Sequence, residues 1–238
     1  MPDNSYLFTQ VMQRYTIDPL TEIGRFHSMP ASLQEMNKEF VASLLRSFEE
    51  KLFNAAEFES FDIELVVDYI QRTHAFYLQK KLPEIEQSIL LLSGLYTANH
   101  PILAALQNFF REYCLDLTTH INEEEEKLLP YIVLLRNATA TPADLSSFIL
   151  AHQEYSIARF LSDHHDTEDE LKDIRETIRL YNPPSTNESL YRILLSQLEA
   201  FEQDLHVHAQ MEEQVLMPKA VSLEKGLQRH LHQAAKAN

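Results

Sequence analysis

The sequence predicts an all-α protein, an antiparallel four-helix bundle preceded by a small helical N-terminal domain, and three observations carry this. Only three glycines, Gly24, Gly94 and Gly226, occur in 238 residues, whereas a strand-rich chain of this size needs many more for hairpins and bulges. Apolar residues recur at spacings of three and four over several long stretches, the period of an amphipathic helix. Short segments rich in Pro, Asn and Thr separate those stretches, as expected between antiparallel neighbours.

Residues 1–58 read as the small, cysteine-free N-terminal domain, with helices from Asn4 to Tyr15 and from Ser32 to about Phe53 around a Pro/Gly-bearing stretch from Pro19 to Pro30. The bundle is assigned to residues 59–222. Its first helix starts near Phe61 and carries the stripe Ile63, Val66, Ile70, His74, Leu78, Leu82, Ile85, Ile89, Leu92 and Tyr96. Pro83 is expected to kink this helix or split it in two. The second helix opens at Pro101, suited to a first turn, and reaches about Leu135, before a turn at residues 137–142. A third starts with Pro142 and Asp144, carries Leu150, Glu154, Ile157 and Leu161, and is read as running past His164 and His165 to Tyr181, where Asn182-Pro183-Pro184 ends it. The fourth spans about Asn187 to Met217, and residues 223–238 read as a polar tail with at most another short helix.

Thirty-six acidic against twenty basic residues give a formal charge of −16. Such a surface repels phosphate backbones and anionic lipid, so neither nucleic acid nor a membrane is expected as a partner. The one cysteine, Cys114, has no internal disulfide partner, and the sequence shows no N-terminal signal and no run of 18 apolar residues. A cytoplasmic location is expected. Three residues before the core-facing Leu117, Cys114 reads as a buried thiol without redox work.

The informative feature is a repeat. At an offset of 88, the second and fourth helices pair Leu106 with Leu194, Phe110 with Leu198, Tyr113 with Phe201, Leu117 with Leu205, His120 with His208, Glu124 with Glu212, Leu128 with Leu216 and Pro130 with Pro218. Asp116/Asp204 and Glu125/Glu213 match as well, so the bundle reads as an internal duplication of helix pairs. His120, Glu124, His208 and Glu212 continue the apolar stripe of their helices and therefore point inward. A carboxylate in an apolar interior costs several kcal/mol unless a cation, proton or donor compensates it. Residues four apart stack on one helix face, so each His-x3-Glu offers a nitrogen and a carboxylate to one point. That donor mixture suits iron, manganese or zinc. The bland alternative is a pair of His–Glu hydrogen bonds, or carboxylates on a solvated face beside the run Glu123 to Glu126.

These residues resemble the hemerythrin-like cation-binding family, and most closely the di-iron proteins associated with repair of iron-sulfur clusters. The segments HINEEEEKLLP, His120 to Pro130, and HAQMEEQVLMP, His208 to Pro218, are similar to that family's two ligand-bearing segments. FDIELVVDYI with THAFYLQKKLP resembles its first bundle helix, and Tyr15-Thr-Ile-Asp18 its N-terminal domain. Leu20 and Thr21 stand where the family carries adjacent cysteines, so its cysteine chemistry is not expected here. Counted back from Leu82-Pro83, the family's first-helix ligand falls on Ala75, but the adjacent His74 lies on the stripe and is taken as the ligand. The next family ligand falls on Tyr96, with His100 a turn further on, and the third-helix ligand on Glu154, with His152 on a roughly opposite face.

The resemblance thus implies a metal site of His120, Glu124, His208 and Glu212 completed by His74 and Glu154, with Tyr96 a further oxygen donor in principle. It implies iron, as a pair or a single ion, with manganese or zinc as alternatives. It also implies O2 or NO as small-molecule partners, a place in iron-sulfur cluster repair or stress response, and a homodimer as a candidate assembly. The competing expectation is a helical regulatory or interaction protein that keeps the bundle with a degenerate metal site. His27, His164, His165, His230 and His232 are expected on the surface, His206 beside the bundle seam, and His100 and His152 in structural roles.

Overall fold

The computed structural model describes residues 11–15, 37–50, 52–95, 101–138, 142–163 and 188–237, and among them there is no strand. A helical turn within residues 11–15 precedes α1 (Lys38–Glu50) and a 3-10 turn (Ala55–Phe58). Asn37 starts α1, its side-chain oxygen accepting from the backbone of Glu39 and Phe40 at 3.1 and 3.0 Å. The bundle then comprises α2 (Ile63–Phe76), α3 (Leu82–Leu95), α4 (Pro101–Glu123), α5 (Leu129–Asn137), α6 (Pro142–Glu154), α7 (Ile157–Asp163), α8 (Glu188–Met211) and α9 (Met217–Ala237). No helix among the described residues is long and apolar enough to cross a membrane.

Three pairs of these helices are continuous rods joined by a single π turn: Tyr77–Lys81 between α2 and α3, Glu124–Leu128 between α4 and α5, and Glu212–Leu216 between α8 and α9. The cause is local. Each π turn ends two residues before a proline, Pro83, Pro130 or Pro218, whose ring has no N–H for the carbonyl four residues back and would clash with it. Widening the helix lets the preceding residue bond five back instead: the N–H of Leu82 donates to Tyr77, that of Leu129 to Glu124 and that of Met217 to Glu212. Pro83 therefore inserts a π turn into the first bundle helix and does not split it.

Two apolar clusters form the core among the described residues. One gathers Ile63 to Ile70, Leu128 to Leu135 and Met211 to Leu227, and the other Phe76 to Leu92, Leu103 to Ile121 and Leu194 to Leu205. The α2–α3 rod enters the second from the first, while the α4–α5 and α8–α9 rods pass from the second to the first. The first rod thus runs antiparallel to the other two.

Several boundaries differ from the sequence reading. Val11, Phe40, Val41, Leu44 and Phe48 belong to the first cluster, so the N-terminal helices share a core with the bundle. The third helix breaks at Tyr155-Ser156. There the Ser156 hydroxyl accepts the Arg159 N–H at 3.2 Å, while the Ile157 N–H donates to the buried Glu224 carboxylate at 3.2 Å. The continuation toward Tyr181 lies outside the described residues. Residues 223–237, read as a tail, continue α9, because Leu227 is buried in the first cluster and Leu231 packs on it.

Candidate metal centre

A polar layer separates the two apolar clusters at the level of the π turns. On α2, His74 falls between Ile70 of one cluster and Phe76 of the other. On the α4–α5 rod, Glu124 falls between Ile121 and Leu128, and on α8, His208 falls between Leu205 and Met211. His74, Glu124, His208 and Glu212 are all buried, and each offers one donor atom such that these atoms lie within 4.8 Å of one another.

The approaches are close. His74 Nε2 lies 3.3 Å from His208 Nε2 and 3.2 Å from Glu124 Oε2. On the other side of the same carboxylate, Glu124 Oε1 lies 3.2 Å from His120 Nε2. His208 Nε2 and Glu212 Oε2 are 3.8 Å apart. Despite this crowding, neither oxygen of Glu124 nor Oε1 of Glu212 has an aligned hydrogen-bond donor, and His208 Nδ1 also lacks a partner. Nitrogen and oxygen donor atoms therefore converge on one buried point where several carboxylate oxygens lack an aligned donor, a costly arrangement unless protons or a metal cation neutralise the point. Two imidazoles and two carboxylates fit iron, manganese or zinc by donor type.

The electrostatics agree. Burial works against charge on Glu124, yet His120 and His74 outweigh it and hold this carboxyl well below its ordinary range. Burial and the Glu124 charge hold Glu212 well above it. Two carboxyls at one site cannot both ionise without a cation between them, so their proton affinities separate. Burial and the nearby His74 keep His208 neutral, with one ring nitrogen free to donate its lone pair. Burial also opposes charge on His74, but Glu124 and Glu125 outweigh it and push this imidazole up to about 10.

Glu125 is a buried residue that the sequence reading noted only as a flanking match. Its Oε1 takes the His74 Nδ1–H at 2.7 Å, and its Oε2 accepts the Gln71 amide at 3.1 Å. A carboxylate on the far ring nitrogen fixes the tautomer and turns Nε2 toward the centre, the usual support for a metal-binding histidine. No local signal finds Glu125, because Glu213 holds the equivalent place after Glu212 at the start of the matching π turn and is exposed. Tyr155 was also missed: its buried hydroxyl has no partner, and burial, with Glu124 nearest in effect among the surrounding carboxylates, raises its pKa above the ordinary phenol range.

Of the six residues proposed from sequence, the structure brings together His74, Glu124, His208 and Glu212, with His120 on the outer edge of Glu124 and partly exposed. Ala75, the competing position, is buried as well, but its methyl group offers no donor atom. Glu154 closes α6, and its side chain lies outside the described residues, as do Tyr96 and His100. His152 is engaged elsewhere, its Nδ1 2.8 Å from the Tyr131 hydroxyl, which donates to Glu224 at 2.7 Å. His206, His230 and His232 are exposed, and His27, His164 and His165 lie outside the described residues. Cys114 is half-buried rather than buried, and desolvation together with Glu86 pushes its thiol up to about 12.

Comparison with known proteins falls on the same region. A family model described as the hemerythrin HHE cation binding domain matches residues 78–220. The iron-sulfur cluster repair protein ScdA of Staphylococcus haemolyticus is 27% identical over 158 residues, which cover 66% of this chain and 67% of that protein. The ScdA proteins of two Staphylococcus epidermidis strains are 22% identical over 158 residues, covering 66% of this chain and 66% of theirs. The chain thus spans about two thirds of the length of the relatives it matches.

Proposed function

The chain belongs to the hemerythrin HHE cation-binding family, and we propose that it binds iron at His74, Glu124, His208 and Glu212. Glu124 is the shared carboxylate in this reading, since its two oxygens face His74 on one side and His120 on the other. The observation that carries the proposal is the convergence of four buried donor atoms within 4.8 Å, with carboxylate oxygens that lack an aligned hydrogen-bond donor. Manganese and zinc suit the same donors and are the competing metals.

When bound, iron would supply redox and Lewis-acid chemistry toward a small molecule such as O2 or NO. The chain's own residues hold and orient the centre: Glu125 fixes the His74 tautomer, and the apolar clusters on either side keep bulk water away. We extend the proposal to a role in iron-sulfur cluster repair, which the names of the ScdA relatives support. Any such role rests on the metal centre, because Leu20 and Thr21 replace the family's adjacent cysteines and Cys114 is a poor thiolate at neutral pH. The same missing cysteines favour the second reading, an interaction protein in which the polar layer survives without metal.

Anaerobic reconstitution with ferrous iron, desalting and elemental analysis separate the two. Retention of one or two irons per chain by the wild type, lost in a folded His208→Ala variant, is the expected result. A wild type that keeps no iron, manganese or zinc overturns the metal-binding reading in favour of the second.

A further inference from the structure

Arg14 enters the bundle from the N-terminal segment and is fully buried, with its side chain 0% exposed. Its guanidinium pairs with Asp204 and donates through Nε to Thr73 Oγ1 at 3.1 Å. It also lies over the rings of Phe76, Phe48 and Tyr69, at 4.7, 5.8 and 5.9 Å from their centroids. Asp204 accepts a second hydrogen bond, from the Tyr77 hydroxyl at 2.9 Å. A desolvated guanidinium in such an enclosure requires its carboxylate, and removing either partner leaves a buried charge uncompensated.

The partners occupy telling positions. His120 and His208 each stand ten residues before the proline of their rod, and Glu124 and Glu212 six before it; in the first rod these places are held by Thr73 and Tyr77. The first rod therefore carries Thr-x3-Tyr at the register of His-x3-Glu, and the Arg14–Asp204 pair takes up both side chains. Thr73 directly precedes His74 in the chain, and Asp204 lies one helical turn before His208. The Tyr77 ring meets His208 edge-on, with centroids 5.6 Å apart. A protein cation thus ties α2 to α8, the two helices whose His74 and His208 nitrogens approach to 3.3 Å.

We propose that Arg14 is a positioning residue for the metal centre: by bridging Thr73 on α2 and Asp204 on α8 it sets the separation of His74 and His208, and so makes metal retention depend on the docked N-terminal segment. The proposal rests on the metal-binding reading above. Its contribution in this reading is geometric, through Thr73, which precedes His74, and Asp204, one turn before His208.

The test uses the full chain loaded anaerobically with ferrous iron, transfer of that iron to an excess of a ferrous chelator, and thermal melting of the iron-free protein. Arg14→Met is expected to speed iron release about 10- to 100-fold, the range typical for loss of a residue that supports metal ligands. The double variant Arg14→Met/Asp204→Asn leaves no unpaired buried charge, so its melting temperature should return close to that of the wild type while its iron release stays fast. Leu227→Ala, a core change in α9 away from the network, should lower the melting temperature without changing release. A double variant that releases iron at the wild-type rate overturns the proposal, and so does failure of both Arg14 variants to fold, which would make the pair purely structural. A wild type that holds no iron fails at the earlier step and takes the metal-binding reading down with it.

Discussion

The α4–α5 and α8–α9 rods carry the same pattern 88 residues apart, yet their surroundings differ. In the first, Asp116 is exposed, His120 is partly exposed, and Glu125 is buried against His74. In the second, Asp204 is buried against Arg14, His208 is buried, and Glu213 is exposed. The apolar positions agree throughout, Leu117 with Leu205 and Leu128 with Leu216 being buried in both. The repeat is thus conserved in its core and complementary in its polar shell. The lesson is that a duplicated motif supplies donor atoms symmetrically, whereas the groups that orient and neutralise them come from whichever element packs alongside.

This comparison can be broken at several points. The largest effect expected is loss of metal in His208→Ala, measured by elemental analysis of the folded protein, against retention in His120→Ala; equal loss in both would restore the symmetry. Leu117→Ala and Leu205→Ala should each destabilise by about 2–5 kcal/mol in denaturant unfolding, because the transfer and cavity costs are those of buried leucines. A large inequality would show that the two core halves differ more than burial suggests. Glu125→Gln should weaken ferrous iron binding about 10- to 100-fold in a competitive chelator titration, by removing the carboxylate behind His74, and Glu213→Gln should leave it unchanged. The smallest effect belongs to His120→Ala, about a tenfold fall in affinity in the same titration if its approach to Glu124 supports a donor rather than supplying one.

Much of this was legible beforehand, for identifiable reasons. The helical fold follows from apolar period and glycine scarcity, and the inward aim of Glu124, His208 and Glu212 follows from their place on that period, whereas His120, on the same period, lies partly exposed on the outer edge of Glu124. The choice of His74 over Ala75 came from the stripe and not from counting to the proline. Glu125 escaped because on a helix it points about 100° away from Glu124, and its burial comes from the packing of His74 and Gln71 on α2 against it, while the matching Glu213 is exposed. The end of the fourth helix was misjudged because residues 223–238 are mostly polar, and a few apolar contacts such as Leu227 suffice to dock a helix that is already propagating.

The sequence by itself determined the all-helical architecture, the paired His-x3-Glu motif and the chemistry its donors can offer, since spacing along one helix decides which side chains share a face. The stripe also pointed to His74, but only the tertiary structure decided that Glu125 stands behind it and that Arg14 pairs with Asp204 beside the centre. Those contacts link residues 51 to 190 positions apart, and no local period encodes which distant helix will lie against which.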